Sequence, residues 1–137
     1  MEKTFTILKP DSVKAGNAGA IISLLEKAGF RVRAMKMLQL TKSEAEGFYY
    51  VHKERPFFGS LVSFRTEGPI VPMVLESDNA IEKLRKVMGA TDPAKADAGT
   101  IRKQFGSNIE RNAIHGSDGP DTAAFEISYF FNRLEII

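Results

Sequence analysis

Cysteine is absent from the 137 residues, and histidine occurs only as His52 and His115. Disulfides and thiolate metal sites are therefore excluded, and a histidine-rich zinc site lacks the ligands it needs. Long apolar runs are missing too. Uncharged stretches such as Ala15 to Leu25 and Gly68 to Leu75 fall short of the ~18 apolar residues that a membrane span requires. Met1-Glu2-Lys3-Thr4-Phe5 leads straight into strand-like sequence without an apolar signal region, so the expectation is a cytoplasmic protein. The net charge is only +2, which argues against a nucleic-acid partner. The two glycine patterns that cradle phosphates are also absent: Gly-x-x-x-x-Gly-Lys-Ser/Thr does not occur, Gly16 and Gly19 have the wrong spacing for it, and there is no Gly-x-Gly-x-x-Gly. Any nucleotide site must then be assembled from side chains dispersed along the chain.

What is present is an ordinary globular composition, 43% hydrophobic and 26% charged. It suits one domain over residues 1–137, burying about two-thirds of the surface its unfolded chain exposes. Thr4 to Lys9 reads as a strand stopped by Pro10-Asp11, which puts Lys9 at a strand's carboxyl end. Ile21, Leu24, Leu25 and Ala28 recur at helical spacing before Gly29. Arg31 to Leu40 reads as a second strand, and Thr41 with Glu44, or Ser43 with Glu46, as a capping box opening a short helix toward Tyr50. Arg55-Pro56 breaks that helix, and Phe57 to Phe64 predicts another. Ile70 to Leu75 predicts a buried strand in which Pro72 implies an edge position or a bulge. Asp78 is the expected N-cap of a helix over Asn79 to Met88, Thr100 of a turn through Phe105, and Asp121 of a last helix with Ala123, Ile127 and Phe130 on one stripe. Asn112 to Ser117 reads as a short fourth strand. The order fits an α+β fold, a ferredoxin-like βαββαβ antiparallel sheet covered by helices, with extra short helices and an irregular excursion from Ala90 to Gly99.

Covalent chemistry, if the chain performs any, points to Asn112-Ala113-Ile114-His115-Gly116-Ser117-Asp118. Gly116 and Ser117 can bring backbone N–H groups to an anion, Ser117 and Asp118 can orient an imidazole, and a fixed neutral imidazole is a nucleophile. A turn histidine satisfied by its neighbours fits the same segment. Lys9, Arg85, Thr91, Arg102 and Asn112 are candidates for a dispersed anion site, since lysine offers a point charge and arginine a planar fork of donors; each taken singly also reads as a solvated surface residue. Phe57 and Phe58 are core anchors or supply a ring that stacks on a flat ligand. Tyr49 is a core tyrosine or a donor toward the imidazole, and Glu126, one position off the last helix's stripe, is solvated or turns inward to orient His115. A binding module without turnover, or a nucleic-acid surface using Arg31, Arg33 and Lys36, would be the alternatives to an enzyme.

Ordered segments over essentially the whole chain carry a resemblance. They are Thr6-Ile7-Leu8-Lys9-Pro10-Asp11, His52-Lys53-Glu54-Arg55-Pro56-Phe57-Phe58, Gly68-Pro69-Ile70-Val71, Met88-Gly89-Ala90-Thr91-Asp92-Pro93, Gly99-Thr100-Ile101-Arg102 and Arg111 to Asp118. The chain resembles the nucleoside diphosphate kinase family. The resemblance implies a ping-pong transfer in which ATP or another nucleoside triphosphate gives its γ-phosphoryl group to Nδ1 of His115, and the phosphohistidine passes it to a nucleoside diphosphate. It further implies that Lys9, Arg85, Thr91, Arg102 and Asn112 hold phosphates and ribose. Phe57 would stack on the base, and Tyr49, Ser117 and Glu126 would surround the histidine. Mg2+ would bridge the phosphates, held mainly by the nucleotide. Stacking without base-edge contacts implies broad base specificity. A homo-oligomer, tetramer or hexamer, is also implied. The chain departs from the family at Pro72 and at the stiff turn Gly119-Pro120, and with Ile137 soon after the last helix the expectation is that it lacks the longer carboxyl-terminal arm of many eukaryotic members.

Overall fold

The computed structural model describes residues 1–49, 59, 62–63 and 66–137, so Arg55-Pro56, Phe57, Phe58 and most of the helix expected from Phe57 lie outside the described residues. Four strands, β1 (Glu2–Leu8), β2 (Arg31–Met35), β3 (Val71–Ser77) and β4 (Ile114–Gly116), form one antiparallel sheet in the order β2-β3-β1-β4. That is the βαββαβ arrangement the element order predicted. Helices α1 (Pro10–Lys14), α2 (Ala18–Lys27), α3 (Lys42–Phe48), α4 (Ala80–Met88), α5 (Ile101–Phe105) and α6 (Pro120–Phe130) accompany it.

Period-two alternation distributes the core. On β1, Phe5 and Ile7 join Phe48, Tyr49, Val74 and Phe130 on one face of the sheet, while Leu8 joins Ile21, Leu25, Leu75, Leu84 and Met88 on the other. Both faces are covered, which is why β1 is buried from Thr4 to Leu8, the polar Thr4 and Thr6 included. The stop after α2 follows from Gly29 at φ +97. Its N–H donates to the Glu26 carbonyl and that of Phe30 to Leu25, satisfying the last carbonyls of the helix.

Local predictions hold where a side chain caps and fail where backbone geometry decides. Thr41 and Glu44 form the reciprocal capping box at α3, and Thr100 caps α5. Asp78 does not cap α4; Asn79 takes that position in left-handed backbone, φ 53, a conformation its short polar side chain tolerates. Asp121 lies in the first turn of α6 rather than before it, because Pro120 occupies the first helical position and Gly119 the cap. Pro10 likewise starts the one-turn α1 where the sequence suggested only a turn. The second strand stops at Met35 instead of Leu40, after a register shift between Val32 and Ala34. Pro72 explains the stop. It sits in a central strand, not at an edge, and its carbonyl accepts from Lys36 N at 3.3 Å. The donor it lacks therefore faces the same side, where the next rung of the β2–β3 ladder is left half made. Pairing resumes only as an isolated bridge between Leu38 and Ile70. Of the strand cations, Arg33 pairs with Glu76 at 2.7 Å and Lys36 with Glu135 at 3.4 Å.

Candidate active site

The approach to His115 is a tight turn. Ile114 N donates to the Asn112 carbonyl at 2.9 Å across Ala113, whose φ is 77. This is a γ-turn in a conformation alanine adopts at a cost of about 1 kcal/mol or more. Surrounding bonds enforce it. Ala113 N donates to Asp11 Oδ2 at 3.0 Å, and its carbonyl accepts from Lys9 N at 3.0 Å and Ser12 Oγ at 2.8 Å. The residue is fully buried. β4 can then run only three residues, paired to β1 with His115 opposite Ile7.

Alternation along β4 turns His115 toward the Phe5 face and Gly116 toward Leu84 and Met88. A Cβ at Gly116 would lie 2.8 Å from Met88 Sδ, so a larger residue beneath the histidine would have to displace the Met88 side chain. The imidazole stands edge-on to Phe48 (centroids 5.9 Å apart, 78°) and to Phe5 (6.4 Å, 63°). Its Nε2 lies 3.0 Å from Glu126 Oε1, and Ser117 Oγ donates to that same oxygen at 2.6 Å. A carboxylate only accepts, so Nε2 carries the proton of the neutral ring and Nδ1 keeps its lone pair. Glu126 and Ser117 are buried, whereas the imidazole is 22% exposed. Thr6 Oγ1 fixes the strand from behind, donating to the His115 carbonyl at 2.6 Å.

Cations gather next to this strand. Lys9 is buried at the end of β1, with Nζ donating to the Glu110 carbonyl at 2.6 Å and to Asn112 Oδ1 at 2.7 Å. Asn112 Nδ2 in turn donates to the Thr91 carbonyl at 3.0 Å. Arg102 on α5 donates to the Ile114 carbonyl at 2.8 Å and to Gly89 at 3.2 Å. Arg85, Thr91 and Arg102 line a cavity of about 400 Å³ together with Lys95 and Thr100. Arg85 leans across to Asp118 at 2.7 Å. His115 does not line the cavity; Arg102, bonded beside it, and Arg85, bonded to Asp118, link the two.

The structure thus joins Lys9, Thr91, Arg102 and Asn112 around one turn, and His115, Ser117 and Glu126 in one hydrogen-bonded unit. Tyr49 is buried one ring further away, 4.8 Å from Phe48. Phe57 lies outside the described residues. Two sequence expectations change. Asp118 pairs with Arg85 rather than orienting the imidazole, and Ser117 N donates to the Phe5 carbonyl at 3.1 Å, so it is committed to the sheet instead of to an anion. Phe5, Phe48, Thr6 and Ser12 were not singled out from sequence. Phe5 and Thr6 become legible only when the β1–β4 register is known.

A held imidazole thus stands beside a group of cations on an α+β antiparallel sheet. The family profile described as "Nucleoside diphosphate kinase" matches residues 2–136. A nucleoside diphosphate kinase of Geobacter sulfurreducens is 59% identical over 137 residues, covering 100% of both chains. The structure of the Aquifex aeolicus nucleoside diphosphate kinase superposes with a TM-score of 0.97 at 44% identity, covering 99% of each chain. A halophilic nucleoside diphosphate kinase from Halobacterium salinarum, in complex with CDP, gives 0.94 at 40% identity over 99% of this chain and 91% of that one. The chain belongs to the nucleoside diphosphate kinase family, whose activity is phosphotransfer between nucleotides.

Proposed function

We propose that this chain carries the phosphoryl group on His115 in a ping-pong reaction. Nδ1 attacks the γ-phosphorus of a nucleoside triphosphate; the N–P bond forms as the bond to the β-bridging oxygen breaks, and the electron pair leaves on the nucleoside diphosphate. The second half reverses this onto a β-phosphate oxygen of another nucleoside diphosphate. The observation that carries the reading is the His115–Glu126–Ser117 arrangement. It holds Nε2–H by a buried carboxylate and leaves Nδ1 as the basic nitrogen.

Lys9, Arg85, Thr91, Arg102 and Asn112 hold the phosphates and ribose, supplying the alignment and positive charge that phosphoryl transfer chiefly needs. Phe57 stacks on the base, giving broad base specificity, and Tyr49 belongs to the wall around the histidine. A Mg2+ ion is held mainly through the nucleotide phosphates. When bound, that ion neutralises phosphate charge. The functional unit spans residues 1–137 and works as a homo-oligomer, tetramer or hexamer, in the cytoplasm, maintaining nucleoside triphosphate pools. No helix of the described residues is long and apolar enough to cross a membrane.

Incubation with γ-labelled ATP tests the reading. Label is expected on one histidine, stable in base and lost in acid, and absent in His115→Ala. An unlabelled wild-type chain would overturn it.

A further inference from the structure

Helix α6 makes two contacts a single turn apart, and only one of them touches the histidine. Glu126 holds His115 Nε2. Tyr129, three residues on and therefore on an adjoining surface, donates its hydroxyl to the Glu44 carbonyl of α3 at 2.6 Å. Burial first, and the Glu44 carboxylate second, hold this phenol above its ordinary pKa. It therefore stays a donor through the neutral range.

Helix α3 is shaped for the contact. Gly47 lies within it, a position where glycine is unfavourable. A Cβ there would fall inside van der Waals contact of Tyr129 Oη and 3.3 Å from Cζ. The next residue is Phe48, buried, with its ring 5.7 Å from that of Tyr129 and edge-on to His115 at 5.9 Å. How closely α3 seats on α6 therefore sets how firmly Phe48 presses on the imidazole.

We infer that Tyr129 is a positioning residue for His115: through Glu44, Gly47 and Phe48 it seats α3 so that the imidazole is held where Nε2 meets Glu126. The inference rests on His115 being the phosphoryl carrier. It assigns the Gly47–Tyr129 contact a part in the reaction although neither residue reaches the cations or the imidazole.

Tyr129→Phe removes one hydroxyl and leaves the ring. In the full-length chain it is expected to slow phosphohistidine formation by about fivefold, the worth of one neutral hydrogen bond, with nucleotide KM moving less than about twofold. The ¹⁵N spectrum of the His115 ring should show a smaller share of the Nε2–H tautomer. Gly47→Ala alone should do the same by pushing the hydroxyl away, yet add little in a Tyr129→Phe background, where the clashing atom is gone. If wild type forms phosphohistidine while Tyr129→Phe keeps both the wild-type rate and ring spectrum, or if the two substitutions are additive, the inference is overturned alone. If wild type forms none, the reading of His115 falls and takes this inference with it.

Discussion

Replacing Glu126 by glutamine separates what this carboxylate does for the reaction from what it does for the fold. The amide oxygen of the substituted side chain can still accept from His115 Nε2 and from Ser117 Oγ, now 3.0 and 2.6 Å from Glu126 Oε1, so the geometry survives and only the charge is lost. A hydrogen bond to a charged group contributes about 1.5–3 kcal/mol and a neutral one about 0.5–1.5 kcal/mol, so the His115 bond weakens by roughly 1–1.5 kcal/mol. As positive charge develops on the imidazole while Nδ1 attacks, that loss falls on the barrier and predicts a transfer rate lower by about 5- to 15-fold. Stability should not follow, because a buried carboxylate has been replaced by a neutral group with the same partners. Glu126→Ala removes the acceptor altogether, stranding the buried Ser117 hydroxyl, and should lower both rate and stability. Rapid-quench measurement of phosphohistidine formation, beside urea unfolding of the same samples, reads the two effects. A glutamine variant as slow as the alanine variant, or one that loses stability in proportion to rate, would refute the electrostatic role.

Two further outcomes follow from contacts at the other end of the site and of the sheet. Lys9→Met removes a buried cation and leaves Asn112 Oδ1 and the Glu110 carbonyl without their donor; steady-state kinetics should show kcat reduced by about 3–4 kcal/mol of barrier, and an unchanged kcat would make Lys9 purely structural. Glu76, hydrogen-bonded first by Arg33 and then by Lys3, has its carboxyl pKa held below the ordinary 4.5. The stabilisation it provides is thus present above that value and lost as pH falls through the lowered one. Glu76→Gln should flatten the acid limb of the urea-midpoint-versus-pH curve, and an unaltered limb would remove Glu76 from the account.

The fold was legible wherever a pattern is local. The apolar stripe of α2 with Gly29 behind it, the Thr41–Glu44 box and the Thr100 cap each follow from residues within one turn of one another. The central placement of Pro72 is not legible locally, because its tolerance depends on which neighbour its missing N–H would have faced, a property of the β2–β3 pairing and not of residues around position 72. Side-chain preference favours Asp78 and Asp121 as caps, but a left-handed Asn79 and Pro120 at the first helical position decide the two helix starts. The site shows the same division. Glu126 was marked by standing off an apolar stripe, but that it turns inward depends on α6 lying against β1. Ser117 and Asp118, adjacent in sequence, part company because the strand's alternation and the reach of Arg85 separate them. The meeting of Lys9 with Asn112 spans most of the chain and has no local signal, so on the sequence only the family resemblance joins them.

Lys9 and Arg102 are tethered by the protein's own oxygens, those of Glu110, Asn112, Gly89 and Ile114. Their positions are set by the fold itself. In the proposed ping-pong reaction, donor and acceptor would then meet the same electric field, and neither would have to rebuild it. The two half-reactions become mirror passages over one barrier. Harm to either tethered cation should therefore slow giving and taking by the same factor.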